Sequence, residues 1–504
     1  MQPVHMEEYL RRAASRWPDK CALRDKSGEL TYAEYYAKAC SAASLILART
    51  NGAHRAPIFV CVSRSIQPAV LFLAVAMSGN FYVPIDPALP EQRRNDMANV
   101  IHPALCLAVD DAPAPVFDGV QTVSYTEACA FTPDDAALKS AAAKAMDTDP
   151  LCCIFTSGST GIPKAVCKSH RAYLDMTETF SEVFPLDGDA VFGNQAPFDF
   201  DVSAKDIYLA LRHGATLTVL ERMLFSFPVR LIERLNDWGV NTLIWAVSAM
   251  KLMAELEAFE EAVPAQLRLV MFSGELMPPA VLTAWQQAAP EASFVNLYGP
   301  TEIAYNCTYH IADHSYSADE RIPIGRPFAN TSVFLLKDGI QVTAPGERGE
   351  LCIAGGCLAL GYYGDPERTA AAFCQSPLQD KWPERIYRTG DLAAYNEAGE
   401  LVFHGRADTQ IKHMGHRIEL AEIELAAQAD TGLAYVCCLF DPKKDRIWLF
   451  YQAEDDRRRE LTAAIKRRLP DYMLPSRFVR LDEMPANRTG KIDRMRLRQT
   501  YIDT

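Results

Sequence analysis

The chain has 504 residues, 49% of them hydrophobic and 23% charged, with a formal net charge of −13. That length exceeds what one hydrophobic core serves and predicts at least two domains, in a composition typical of globular proteins. The acidic balance excludes a nucleic-acid binder, which needs a basic face against phosphate.

The opening "MQPVHMEEYLRRAASRWPDK" has no basic segment followed by an apolar run, so no secretion signal is read there. No window reaches the roughly 18 apolar residues of a spanning helix, and no membrane association is expected. Fourteen cysteines are scattered along the chain without a C-x-x-C, and two pairs are adjacent (Cys152-Cys153 and Cys437-Cys438). They read as reduced thiols of a cytoplasmic protein.

In chain order, "YAEYYAKACSAASLILART" (32–50) has apolar residues at helical spacing. "APIFVCV" (56–62) reads as a strand, and "PAVLFLAVAMSGN" (68–80) as a buried helix ended by glycine. The Ala-rich "DDAALKSAAAKAMD" (134–147) reads as a surface helix or linker. "LCLAVD", "LTVL", "TLIWAV" and "LRLVMFSG" are short apolar runs between helical segments, the pattern of parallel strands covered on both faces. From 331 onward "TSVFLLKDG", "GELCIAGG" and "ELVFHGR" indicate short strands and turns, a smaller β-rich subdomain at about 325–405. The polar turn "GRADTQ" (405–410) precedes a new α+β pattern with a basic helix at 458–468. The expected boundary is Asp408, giving an N-terminal core over 1–407 and a C-terminal domain over 408–504. The fold class is therefore α/β: a large N-terminal domain of α/β layers with a β-rich subdomain, then a small α+β domain.

The chemistry starts at Thr156–Lys164, "TSGSTGIPK", directly after the apolar "LCCIF". A strand feeding a Gly/Ser/Thr loop offers backbone N–H groups, hydroxyls and one cation to a phosphate chain. The spacing of Gly158 and Gly161 does not match the common P-loop, and a flexible linker is the alternative. "NLYGPTE" (296–302) joins an aromatic able to stack on a purine to a carboxylate able to hold Mg²⁺. "YRTGD" (387–391) ends in an aspartate suited to a ribose diol. "GRADTQIKHMGHRIELAEIE" (405–424) and "ANRTGKIDR" (486–494) complete the set. "HMGH" (413–416) has no third ligand nearby, so no metal is expected on it.

The five motifs in this order resemble the adenylate-forming superfamily, which holds peptide-synthetase adenylation domains, D-alanine–carrier-protein ligases, aryl-acid ligases and acyl-CoA synthetases. The resemblance covers essentially the whole chain. It implies a small mobile C-terminal domain hinged at Asp408, with ATP and Mg²⁺ as cofactors. Thr156, Ser157, Gly158, Ser159, Thr160, Gly161 and Lys164 would cover the β- and γ-phosphates. Gly274 and Glu275 belong with the nucleotide residues, Asn296 and Tyr298 would contact adenine beside Gly299, and Thr301 would face the α-phosphate. Glu302 would hold the Mg²⁺, Asp391 the ribose hydroxyls with help from Arg406, and Lys491 would bridge the acid carboxylate and α-phosphate. After adenylation the small domain would rotate, withdraw Lys491 and turn "IKHMGHRIE" toward the site.

Amino-acid-activating members carry an aspartate for the substrate ammonium within F-D-x-S. Of the two aspartates in "FDFDVSAKDIY" (198–208), Asp201 matches best; a helix-capping aspartate is the alternative. By motif offset the rest of the acid pocket would be Val202, Lys205, Ile244, Met271, Ser273, Leu297, Tyr305 and Asn306. Lys205 is the oddity, lying against Asp201, meeting a polar substituent or pointing outward. Two substrates stay open, an α-amino acid and an anthranilate-type aminobenzoic acid, with a lean to the aromatic one. "WAVSAM" (245–250) lacks the usual paired prolines and "SGE" (273–275) replaces two glycines, so specificity codes do not transfer. With no room for a carrier domain after Asp493, the acceptor is expected to be a phosphopantetheinylated carrier protein in trans, in nonribosomal-peptide-type secondary metabolism. A D-alanine–carrier-protein-type ligase, a CoA ligase and a non-catalytic binding module are the alternatives.

Overall fold

The computed structural model of the chain describes residues 3–158, 162–406, 410–485 and 492–503. The architecture is mixed α/β, with a large N-terminal domain and a smaller C-terminal one. Local sequence explains the elements directly. Thr31 caps the helix Tyr32–Arg49 by accepting from Glu34 N at 3.2 Å, while the Glu34 carboxylate accepts from Thr31 N at 2.8 Å. The helix Gln67–Met77, apolar all round, is buried over nearly its whole length. Asp134 caps the helix Asp135–Lys144, so the Ala-rich segment is a helix rather than a linker.

Among the described residues, three sheets make up the larger unit. A nine-stranded sheet has Val191–Asn194, Thr242–Ala246, Leu269–Ser273 and Ser293–Tyr298 as its parallel centre, with Thr308–Ile311 antiparallel beside the last. A seven-stranded sheet contains Pro57–Cys61, Phe81–Ile85, Pro150–Thr156 and Lys164–Ser169. The β-rich subdomain is a six-stranded sheet built around Arg348–Gly355 and Arg385–Tyr395. Register settles which faces the pocket residues occupy. Ile244 lies opposite Met271, Met271 opposite Val295 and Ala246 opposite Ser273, which places Ile244, Met271, Ser273 and Leu297 on one face. Leu243, Trp245, Val270, Phe272 and Phe294 alternate to the other face, into an apolar core shared with Trp285 and Leu282.

The chain divides into two compact units. The first is Met1–Pro87, Ile101–Ile154 and Ala165–Ala407; the second is Ala88–Val100, Phe155–Lys164 and Asp408–Thr504. The second thus takes in two segments that the sequence assigns to the N-terminal core. Contacts within it explain this: Arg93 pairs with the buried Glu422, and Ser157 Oγ donates to Arg417 O at 2.9 Å. Its own core packs Ile418, Ile423, Leu449 and Ile465 around the three-stranded sheet of Val436–Asp441, Arg446–Gln452 and Arg477–Leu481. Asp408, the expected hinge, lies outside the described residues.

Candidate active site

Among the nucleotide residues named from the sequence, Gly274, Glu275, Tyr298 and Gly299 lie at the carboxyl ends of neighbouring parallel strands, where open α/β sheets bind ligands. Tyr298 ends the strand Ser293–Tyr298, and its hydroxyl donates to Asp391 Oδ2. Arg406 Nη1 donates to the other oxygen, Asp391 Oδ1, at 2.5 Å. Asp391 and Arg406 face each other across paired antiparallel strands, so sheet register brings the two together. Burial and the Asp391 charge push the Tyr298 hydroxyl well above its usual range and keep it a donor. Asn296 Nδ2 donates to Pro323 O at 2.8 Å. Gly299 begins the loop after that strand, and a Cβ there would come within 2.7 Å of Asn306 Cα. Half-buried Thr301 precedes Glu302, whose 0% exposed carboxylate accepts from the Tyr362 hydroxyl at 2.8 Å. Gly274, at φ +100°, and half-buried Glu275 follow the neighbouring strand Leu269–Ser273.

The glycine loop belongs to the second unit. Thr156 Oγ1 is buried with no hydrogen-bond partner among the described residues, a donor in want of an acceptor. A Cβ on Gly158 would sit 2.0 Å from Ile162 O, so only glycine fits at that position. Lys164 Nζ lies 3.6 Å from Glu419 Oε1. An unsatisfied hydroxyl, a backbone stripped of side chain and a lysine fit a phosphate chain. Ser159, Thr160, Gly161 and Lys491 lie outside the described residues.

The residues named for the acid pocket stand among buried charges, two of which, Lys168 and Asp206, the sequence reading did not name. Asp201 does not cap the following helix: Val202 is at the N-cap of Ser203–His213 and no side chain caps it. Instead Lys168 Nζ lies 3.3 Å from Asp201 Oδ2. Lys205 points inward, donating to Asn306 Oδ1 at 2.6 Å. Burial holds its amine down at about 8, against the opposing pull of Asp201 and Asp206. Asp206, itself buried and bonded to Asn194 Nδ2 at 2.8 Å, is pushed up to about 7 by burial. Tyr305, at φ +58°, shares a hydrogen bond with Thr177 at 2.9 Å and packs edge-on against Tyr173. Asp199, the other aspartate of the motif, is pushed up to about 7 by burial and by nearby Asp86.

Lys168, Asp206 and Tyr362 were missed. A signal existed for Lys168: it interrupts a strand of a sheet otherwise buried on both faces, where a lysine needs a partner. A cavity of about 740 Å³ lined by Thr148, Arg171, Asn330 and Arg385 includes none of the residues named from the sequence.

Residues 10–363 match the family model described as AMP-binding enzyme. The chain is 32% identical to the D-alanine–D-alanyl carrier protein ligase of Bacillus licheniformis, over 98% of both proteins. It is also 32% identical, over 98% of its length, to tyrocidine synthase 3 of Brevibacillus parabrevis, of which it spans only 8%. Its fold matches the crystal structure of IdnL1 with a TM-score of 0.82 at 30% identity, covering 96% of this chain and 98% of that one.

Proposed function

The chain belongs to the AMP-binding enzymes, AMP-forming acid–thiol ligases, and from that premise we propose that it activates an amino-group-bearing carboxylic acid and passes it to a carrier protein. The acid is an aminobenzoic acid of the anthranilate type or an α-amino acid. In the first step a carboxylate oxygen attacks the α-phosphorus of ATP, the bond to the β-phosphate oxygen breaks, and pyrophosphate leaves. In the second, a phosphopantetheine thiolate attacks the acyl carbon and AMP leaves, which forms a thioester of nonribosomal-peptide type. The observation that carries the reading is the buried Asp391 carboxylate, held by Tyr298 and Arg406, whose remaining lone pairs would accept from ribose hydroxyls.

The other roles follow from charge. A carboxylate approaching a triphosphate meets like-charge repulsion, so aimed cations lower the barrier, each typically worth about 10²–10³ in rate. Lys491 is the cation assigned to the reacting centre, and Lys164 with the Thr156 hydroxyl serves the departing phosphates. Glu302 is the carboxylate that would hold Mg²⁺, an oxygen-seeking ion that would supply further charge neutralisation. Thr301 would face the α-phosphate. A cytoplasmic location accords with the cysteines, all free thiols. Among the described residues no helix is long and apolar enough to cross a membrane.

The test is carboxylate-dependent exchange of labelled pyrophosphate into ATP, across a panel of α-amino and aminobenzoic acids. Exchange with at least one acid is expected, and none with any would sink the reading. Phosphopantetheinylated carrier offered beside free CoA separates the carrier-loading reading from a CoA ligase.

A further inference from the structure

Lys168 has no part in the reaction just described, yet its placement is costly. It lies on the strand Lys164–Ser169, is 0% exposed, and has its ammonium 3.3 Å from Asp201 and 5.8 Å from the Tyr173 ring centroid. A lysine is almost never fully buried unless paired, and Asp201 is its partner. Asp201 keeps 18% of its side chain exposed, so the cation stands on the buried side and the carboxylate still presents an acceptor outward. Lys205 lies in the same pocket, bonded to Asn306. Two buried lysines therefore stand against Asp201 and Asp206; burial moves both Asp206 and Lys205 toward their neutral forms, which leaves the Lys168–Asp201 pair as the close charge contact facing the substrate.

An α-amino acid would bring a second cation to Asp201, beside Lys168. Its own carboxylate is committed to the reacting end, so the new ammonium would have to share Asp201 with Lys168. Like charges in a desolvated site disfavour each other strongly. An arylamine differs: its nitrogen lone pair is conjugated with the ring, it stays unprotonated at neutral pH, and its N–H donates to Asp201 without adding charge.

We propose that Lys168 is a specificity-determining residue: by neutralising Asp201 from the buried side, it selects an aminobenzoic acid, whose amino group is uncharged, over acids bearing an ammonium. The inference rests on the reading of Asp201 as the group that meets the substrate's amino group.

The experiment measures pyrophosphate exchange by the full chain with 2- and 3-aminobenzoate and with D-alanine, L-valine and L-phenylalanine. The wild type favours the best aminobenzoate over the best α-amino acid by about tenfold or more in kcat/KM, a modest demand for a like-charge contact at this depth. Lys168→Met lowers that ratio about tenfold, whereas Lys168→Arg, which keeps the charge, retains the preference. A wild-type preference for an α-amino acid overturns the inference and leaves the activity standing, as does an unchanged ratio in an exchanging Lys168→Met. Exchange with no acid at all removes the functional reading itself. A second measurement needs no variant: 2-aminobenzoate against 2-(aminomethyl)benzoate, which sets an ammonium at the same ring edge. Ten or more times weaker use of the aminomethyl acid is expected, and equal use overturns the proposal.

Discussion

Lys205 shows what a single residue reveals in the chain and what it conceals. Its position two residues after the F-D-x-S match marks it as unusual for a pocket lining, but three orientations are open until Asn306 Oδ1 is seen to accept its hydrogen bond at 2.6 Å. Lys168 carries no motif signal, because what makes it matter is Asp201, 33 residues away and on another element. His170 is a third buried titrating group, and it gives a pH prediction. Its Nδ1 accepts from Met6 N at 3.1 Å, and burial holds the ring down at about 4. Between its ordinary 6.5 and about 4, the unfolded chain therefore binds more protons than the folded one. The stability from this group is present above pH 6.5 and is lost as pH falls toward 4. His170→Gln should flatten the loss: denaturant midpoints of wild type and variant, compared at pH 7 and pH 5, should converge on acidification. A constant gap would contradict the buried neutral imidazole.

At the scale of elements, most of the fold is legible because period and punctuation are local. The all-apolar helix Gln67–Met77, the short parallel strands and the antiparallel run after 331 all match their patterns. The faces of Ile244, Met271, Ser273 and Leu297 also follow from alternation once the strands are paired. Which strands pair is not legible, since the order in the nine-stranded sheet departs from chain order. The glycine loop allows a direct test. Gly158→Ala places a methyl 2.0 Å from Ile162 O, a backbone atom that cannot yield without moving the loop. The expected result is a rise of about tenfold or more in KM for ATP, since a displaced loop loses at least one charge-assisted contact. The melting temperature should shift by no more than a few degrees. An unchanged KM would mean that the loop does not hold phosphate.

At the scale of the whole molecule, the sequence boundary at Asp408 does not describe the second unit alone, because Ala88–Val100 and Phe155–Lys164 belong with it. The buried Arg93–Glu422 pair joins residues 329 apart in the chain, and no composition change announces it. If the C-terminal domain alternates between two tasks, the two half-reactions separate genetically. Lys491→Ala should lower pyrophosphate exchange by about 10²–10³. It should leave thioester formation from supplied acyl adenylate largely intact. Equal loss of both steps would contradict a domain that presents Lys491 to the first step only.

By itself the sequence determined the fold class, the family and the nucleotide chemistry, because these are written in short motifs whose residue types and spacing act locally. Only the tertiary structure decided how charge is shared in the acid pocket. Lys168 meets Asp201, and Tyr298 reaches Asp391 across 93 residues, through sheet order and burial. Those pairings fix which groups are already satisfied and which still await a ligand. An ion pair depends on distance and dielectric, and neither is a property of the chain until it folds.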